Sequence, residues 1–190
     1  MPTVRIDMSG FEELQRRIGK LDSKKEEFYK GCLRNLAMRI IVKLVDRTPT
    51  GVPPTWAGDD AIKKYWKGYV GGTLRRGWIA RSEAEANGRA SSEPSPADIS
   101  NFVHSIDVEK AGNDYYVIIT NPVHYASFVE YGHRQKPGRF VPQIGRRLKK
   151  SWVPGQFMLR ISEDEMRSEA PPLVAKRMEA FLRRVYQNGE

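Results

Sequence analysis

The sequence predicts an α+β fold, in which a small antiparallel β-sheet is flanked by a long N-terminal helix and a C-terminal helix, with long loop insertions. Apolar residues recur at helical spacing in the first quarter of the chain and again near its C-terminus. Between these regions, short β-branched and aromatic runs alternate with turn residues, which is typical of antiparallel strands. With 190 residues, 39% apolar and 29% charged, the chain is expected to form one domain over residues 1–190.

The N-terminal region predicts two helices. The first is short, is capped by Ser9 and Glu12, and has an apolar face made of Phe11, Leu14, Ile18 and Leu21. The second runs from about Lys24 to Arg47, and its apolar face consists of Phe28, Cys32, Leu36, Ile40 and Leu44. Thr48-Pro49 ends this helix, because proline lacks an amide hydrogen and disfavours helical geometry in the residue before it.

Three segments of different character follow. Residues 50–72 predict an insertion, either an ordered loop or a short helix, that packs its aromatic side chains, and the candidates for contact with a neighbouring subunit are Trp56, Tyr65, Trp66 and Tyr69. Thr73 to Ala80 predict a strand with Leu74, Arg76 and Trp78 on one side. Residues 83–100, rich in Ala, Ser, Gly and Pro, predict a flexible loop.

The second half of the chain predicts a hairpin, a short helix and a basic insertion. Phe102 to Val108 and Tyr115 to Thr120 alternate like antiparallel strands joined by a turn. Residues 124–131 predict a short helix that Gly132 closes. Residues 133–155 are basic, are punctuated by Pro and Gly, and predict a loop insertion.

The C-terminal region predicts one more strand and a final helix. Gln156 to Ile161 form the strand, and Ser162 with Glu165 form a capping box that begins the helix. Pro171-Pro172 interrupt or restart it. Its apolar face is supplied by Leu173, Val174, Met178, Phe181, Leu182 and Val185.

Positive charge is in excess, with 32 Lys and Arg against 23 Asp and Glu, a formal charge of +9. This balance favours nucleic acid, a membrane surface or an acidic protein face as partner. The densest cluster is either a solvated face or a partner-binding one, and it consists of Arg146, Arg147, Lys149 and Lys150. No apolar run is long enough to span a bilayer or resembles a signal peptide. The single cysteine, Cys32, suits a reducing cytoplasm and is expected to be a small core residue.

No set of residues predicts catalysis, a metal site or a cofactor. The three histidines, His104, His124 and His133, do not pair at helical spacing, and Asp59-Asp60 is explained as loop polarity. No phosphate loop or nucleophile elbow is present in the sequence. The stretch from Lys63 to Lys67 has the composition to stack single-stranded bases on its aromatic rings, but buried rings beside solvated lysines explain it as well.

Four segments, in order, resemble one family: the tail-completion or head–tail joining (neck) proteins of long-tailed bacteriophages, the gene-product-10-like tail components. Thr48-Pro49 corresponds to the family's helix end, and Gly72-Thr73-Leu74-Arg75-Arg76-Gly77-Trp78 to its Thr-Gly-x-Leu-Arg-x-Ser segment. Residues 124–132 correspond closely to Tyr-Ala-x-x-Val-Glu-x-Gly-Thr, and residues 156–159 loosely to the aromatic segment before the last helix.

The resemblance implies a non-enzymatic structural protein of the virion, assembled in the host cytoplasm. It implies a homo-oligomeric ring, commonly a hexamer, in the neck at the head-proximal end of the tail. Its expected partners are head connector, adaptor or stopper proteins, tail tube or tail terminator proteins, and genomic DNA in the lumen, with no membrane. The motif residues expected to have structural roles are Thr48, Pro49, Gly72, Thr73, Leu74, Arg75, Trp78, Tyr125, Ala126, Val129, Glu130, Gly132 and Phe157.

Two departures from the family pattern direct attention to an interface. Residues 50–72 separate two motifs that are nearly adjacent in the family, and residues 133–155 form an unusually long insertion. A closed ring needs a heterologous interface, and aromatic and Arg side chains are enriched at interfaces. We therefore expect both insertions to contact neighbours, through the second insertion's Arg139, Phe140, Arg146, Arg147 and Trp152 as well as the first insertion's aromatic residues.

Two further questions remain open from sequence. Arg75 or Arg76 either pairs with Glu130 or is an unrelated surface charge. The alternative function is a basic nucleic-acid-binding accessory protein, which the net charge permits. A small hydrolase or nuclease lacks an acid–base or metal set.

Overall fold

The computed structural model describes residues 9–52, 59–88, 93–112 and 114–187. Helix α1 (Ser9–Arg47) is continuous over 39 residues, about 58 Å at 1.5 Å per residue. The two N-terminal helices predicted from sequence are therefore one, and the end predicted at Arg47 is confirmed. Cys32 is buried on this helix, as expected.

Four shorter helices follow α1: α2 (Asp59–Tyr65), α3 (Thr73–Gly77), α4 (Glu83–Asn87) and α5 (Pro96–Ser105). The strand predicted over Thr73 to Ala80 was wrong, because this segment begins with helix α3. Leu74 and Trp78 are both buried and lie four residues apart, so the pattern that predicted one face of a strand also fits one face of a helix.

The flexible loop predicted over residues 83–100 was also wrong, because α4 and the first half of α5 lie within it. Ser82 caps α4, and its hydroxyl accepts from the Glu85 N–H at 3.2 Å. Ser95 and Asp98 form a reciprocal capping box for α5, with Pro96 in its first turn. Helix α5 continues to Ser105, so the strand predicted over Phe102 to Val108 was wrong as well.

The β-structure consists of short antiparallel pairs. β1 (Glu109–Ala111) pairs with β2 (Asp114–Tyr116), which confirms the predicted turn but shortens the hairpin. β3 (Gly132–Arg134) pairs with β6 (Trp152–Pro154), and β4 (Phe140–Val141) with β5 (Arg146–Arg147). Within the described residues no sheet has more than two strands.

The last two helices are α6 (Ala126–Tyr131) and α7 (Met158–Gln187). The short helix closed by Gly132 is confirmed. The strand predicted over Gln156 to Ile161 was wrong, because α7 begins at Met158; Ser162 and Glu165 lie inside α7 and do not cap it. The helix continues through Pro171-Pro172, whose side chains are exposed on its solvent face.

The core lies between α1, the α3–α4 segment, α5 and the start of α7. Its least exposed apolar side chains are Ile41, Leu44, Ile79, Val103 and Met158. Charged groups join α1 to α7 beside the core: Lys43 Nζ lies 2.8 Å from carboxylate oxygens of both Glu165 and Glu169, and Arg47 also pairs with Glu165. None of the helices in the described ranges is both long and apolar enough to cross a membrane.

Candidate interface site

Thr48 connects two of the sequence motifs. Its side chain is fully buried at the end of α1, and its Oγ1 donates to the Leu44 carbonyl at 2.6 Å. The same Oγ1 accepts from Trp78 Nε1 at 2.7 Å. The Thr48 carbonyl accepts from Arg75 Nε at 2.6 Å. The Thr-Pro motif and the Thr-Leu-Arg motif therefore form one hydrogen-bonded junction although 24 positions separate Thr48 from Gly72.

The two ends of the insertion between these motifs lie next to each other. A Cβ placed on Gly71 would lie 2.7 Å from the Gly51 carbonyl oxygen and 3.0 Å from Thr50 Cγ2. Gly71 and Gly72 both have positive φ (78° and 72°), a conformation that glycine adopts without steric cost. Gly51 and Gly71 are therefore close together, and residues 52–70 connect them. We call residues 52–70 the excursion.

The two arginines of the motif have different local roles. Arg76 is 3% exposed, and its guanidinium donates to the carbonyls of Ala86 and Gly71, each at 2.7 Å. Arg75 pairs with Glu93 in addition to the Thr48 carbonyl. The hypothesis that Arg75 or Arg76 pairs with Glu130 is not supported by these contacts, because Glu130 takes backbone partners elsewhere.

Glu130 caps helix α7. It is 6% exposed, and its carboxylate accepts from the N–H groups of Leu159 (3.0 Å) and Arg160 (3.2 Å). The first N–H groups of a helix have no partner within it, and a negative charge there is favourable. No local signal connects residues 29 apart, so this role was missed from sequence.

Glycines permit the close approach of α6 to the chain that leads into α7. Gly132 has φ 81°, and a Cβ on it would lie 2.8 Å from the Gly155 nitrogen and 2.9 Å from Trp152 Cζ2. A Cβ on Gly155 would collide with the Glu130 carbonyl. Phe157 adopts φ 51°, and its N–H donates to the same carbonyl at 3.1 Å. The third and fourth motif segments therefore meet, as the first two do.

The motif segment before α6 is attached to α4. Glu83 contacts His124 twice, through Nδ1 at 2.6 Å and the backbone N–H at 3.2 Å. The hydrogen bond from the His124 side chain holds the pKa of Glu83 below its ordinary value. Burial raises the pKa of Tyr125, whose ring lies edge-on to that of His124. Ala126 and Val129 pack against the core.

Residues 132–154 form one antiparallel hairpin, which we call the arm. Beyond the β3–β6 pair, the Gln135 N–H donates to Ser151 and the Gly138 N–H to Leu148. The register then shifts by one residue, so that Phe140 lies opposite Arg147. Gly138 has φ 82° at this shift, and Arg147 Nη1 donates to its carbonyl at 2.7 Å. The expected loop insertion is thus built as β-structure with a bulge.

The arm concentrates the positive charge of the chain. It contains seven Lys or Arg and no Asp or Glu, which leaves +2 for the remaining residues. The seven are Arg134, Lys136, Arg139, Arg146, Arg147, Lys149 and Lys150. From residue 131 to residue 157 no side chain is buried, and Phe140 and Trp152 are about half exposed. The hairpin therefore carries seven cations together with exposed aromatic rings.

The excursion and the arm touch each other. Trp66 Nε1 donates to the Gln143 carbonyl in the turn of the arm at 2.8 Å. The Trp66 ring packs edge-on against Tyr69 at 5.0 Å. Tyr65 and Tyr69 are 40% and 44% exposed, while Trp56 lies outside the described residues. The two segments that the sequence predicts to contact neighbours are therefore in contact with each other through the Trp66 hydrogen bond. We call their combined surface the arm–excursion surface.

No cluster of three or more His, Cys, Asp or Glu side chains is positioned to hold a metal ion in the part of the chain that is described. His133 packs its ring near Phe128 at 5.9 Å, and His124 contacts Glu83. These side chains have structural contacts rather than a shared centre.

A comparison with protein-family models decides the family. Residues 12–132 match the family described as "Bacteriophage HK97-gp10, putative tail-component". The chain belongs to this family. The match includes the Thr48 junction and ends at Gly132, the first residue of the arm, so the rest of the arm and helix α7 follow the matched region. As a member of this family the protein is a bacteriophage tail component, which implies a place in the virion. Curated proteins and solved structures gave no further match.

Proposed function

We propose that the protein is a non-enzymatic neck or tail-completion subunit. Copies of it form a ring, a hexamer, at the head-proximal end of the tail. The ring joins the tail tube or tail terminator to the head connector, adaptor or stopper proteins and lets genomic DNA pass through its lumen. Membership in a tail-component family supports the location in the particle.

The arm–excursion surface is the observation that carries the proposal. It presents exposed Phe140, Trp152, Tyr65 and Tyr69 beside seven cations without a core of its own. Exposed apolar patches rimmed by polar residues mark interaction sites, and aromatic and Arg side chains dominate interface energetics. A subunit that contacts two copies of itself and two neighbours along the tail axis needs such a surface.

The cations of the arm are proposed to face acidic protein neighbours rather than the DNA. A lumen lined by Lys and Arg would bind phosphates and slow the passage of the genome. One dense basic hairpin on an otherwise nearly neutral chain suits a single docking contact.

The test is electron microscopy of the purified full-length protein. We expect rings of uniform diameter for the wild type. Reversing two exposed arm charges, Lys149→Glu with Lys150→Glu, should reduce the ring fraction at least several-fold. The matched control reverses two exposed helical charges, Arg39→Glu with Lys176→Glu, and should assemble normally. A monodisperse monomer at every concentration, also absent from purified tails, would contradict the proposal.

The basic arm also supports the second candidate, a nucleic-acid-binding accessory protein. Filter binding to double-stranded DNA over a salt series separates the two functions. Contact of the arm with several phosphates would give a steep salt dependence, with a slope near −0.9 per phosphate, that the Lys149/Lys150 reversal abolishes. For a neck subunit we expect weak binding with a shallow slope.

A further inference from the structure

An extended segment next to the β1–β2 hairpin has an open backbone edge. Residues 117–120 continue from β2, and no backbone hydrogen bond joins them to another described residue. Val117 and Ile119 point inward and pack on the core, while Ile118 is 64% exposed. This is the alternation of a strand that lacks its neighbour.

Nothing within the hairpin itself completes this edge. β1 begins only at Glu109, because the chain has only just left helix α5 at that point. The last hydrogen bond at the end of α5 joins the Ile106 N–H to the Val103 carbonyl. At the other end, Asn121 Nδ2 donates to the Leu74 carbonyl at 2.8 Å. The segment is therefore fixed at both ends while its edge remains open.

Beside the edge lies an open, mainly apolar groove of about 350 Å³. Val117 and Ile119 form one side of it, and helices α1 and α7 form the other with Leu33, Leu36, Ile40 and Met166. An added strand would place alternate side chains over this groove, so it would gain apolar contacts as well as backbone hydrogen bonds.

Charge favours the arm of another copy as the added strand. Residues 106–120 carry Asp107, Glu109 and Asp114 against the single cation Lys110, a net charge of −2, and the arm carries +7. The carboxylates and the cations are exposed, and Lys110 lies over the Tyr115 ring. The arm is a two-stranded ribbon, so each of its strands has an unpaired outer edge.

We propose that the arm strand from Arg146 to Pro154 of one copy adds to the edge at residues 117–120 of the next copy. Each copy then adds its own arm to one neighbour and binds the arm of the other neighbour, through two different surfaces. Such a head-to-tail contact is heterologous and closes into a ring when the rotation per copy permits. The pairing also gives the arm the third strand that a lone hairpin needs for stable structure. This inference rests on the proposed ring and names the contact that builds it.

The test uses chains that each carry one thiol. In a Cys32→Ala background, one variant has Ile118→Cys and the other Lys149→Cys, and the two are mixed during assembly and treated with a short bismaleimide. Neither variant can crosslink within its own chain. We expect a covalent dimer only in the mixture, and none when Ile118→Cys is mixed with the control Lys176→Cys.

Each outcome has a distinct meaning. Rings that form without the mixed crosslink would overturn this inference and leave the proposed ring intact. A crosslink in the Ile118→Cys variant alone would indicate symmetric edge-to-edge dimers and would also overturn it. The failure of the wild type to form rings would remove both proposals together.

A backbone variant provides a second measurement. Ile118→Pro removes an N–H that has no partner within the described chain, so we expect the thermal midpoint of the protomer to stay close to the wild-type value. Ring formation should be lost. Ile118→Thr keeps the N–H and strand propensity and should retain rings. Rings of Ile118→Pro as abundant as those of the wild type would contradict the pairing.

Discussion

The carboxylate of Glu130 accepts the backbone N–H of Leu159 at 3.0 Å and so connects α6 to the first turn of α7. Leu159 is packed against the core, and α7 supplies the partner face of α1. One buried side chain of the matched family region therefore positions a helix that lies beyond that region.

We expect Glu130→Ala to lower the free energy of unfolding by about 1–3 kcal/mol, because two N–H groups at the start of α7 lose their acceptor. Glu130→Gln keeps one acceptor oxygen and should cost less. Denaturant unfolding followed by circular dichroism measures the effect. Glu163→Gln, at an exposed position on the same helix, is the control and should change stability by less than about 0.5 kcal/mol. Equal effects of Glu130→Ala and the control would refute the capping role.

Thr48→Val replaces the buried hydroxyl with a methyl group of similar size. The Trp78 indole loses its acceptor, and we expect a loss of about 1–3 kcal/mol. Trp78→Phe alone should also destabilise the protein. Because the two residues share one hydrogen bond, the double variant should lose less than the sum of the single variants. Simple additivity in the double-mutant cycle would show that the bond contributes nothing.

Acid should weaken the contact between α1 and α7. Hydrogen bonds from Lys43, and then from Arg47, hold the pKa of Glu165 below its ordinary value. A carboxyl whose pKa is lowered by folding stabilises the protein above its unfolded-state pKa of about 4.3, and this stabilisation is lost as the pH falls through the lower folded-state value. We therefore expect Glu165→Gln to show a smaller fall in thermal midpoint than the wild type below about pH 4.3.

The ion pairs of Lys43 with Glu165 and Glu169 also predict how the stability of the protein responds to alkaline pH. Hydrogen bonds to Glu165 and Glu169 raise the pKa of Lys43, so its contribution is complete below its ordinary pKa of 10.5 and is lost only above that value. For the acid prediction, Glu163→Gln again serves as the control variant. A wild-type thermal midpoint that is unchanged from pH 6 into the acid range would contradict the role of Glu165.

Removing the excursion should leave the core folded. Since Gly51 and Gly71 are in contact, residues 53–69 can be replaced by Gly-Ser with little change in the Thr48 junction. We expect a change in unfolding free energy of roughly 1–2 kcal/mol, because loop-closure entropy varies only slowly with length. Ring formation should fall, since the contact between Trp66 and the arm is lost. Loss of cooperative thermal unfolding, followed by far-ultraviolet circular dichroism, would show that the excursion is part of the core.

Some of this architecture follows from local signals in the sequence. The end of α1 at Arg47 was predictable because Thr48-Pro49 acts on adjacent residues, and α6 was predictable because Gly132 supplies the positive φ that closes it. The capping box at Ser95 is equally local, and its neighbouring Ala, Ser and Pro residues obscured it.

Other features depend on contacts between distant residues. The assignment of Thr73 to Ala80 failed because nearly the whole segment is buried, which removes the alternation that separates strand from helix. The start of α7 is set by Glu130, which no sequence window connects to Leu159. The role of the arm as a hairpin was hidden because its cations and prolines resemble those of a loop.

The absence of any buried side chain from residue 131 to residue 157 has a consequence for the life of the protein before assembly. A hairpin anchored to the core only at its base opens without unfolding the rest of the molecule. Its seven Lys and Arg residues make it a preferred substrate for trypsin-like proteases while it is open. The proposed pairing of the arm with the next copy would cover these bonds, so we expect proteases to cut free copies before assembled ones.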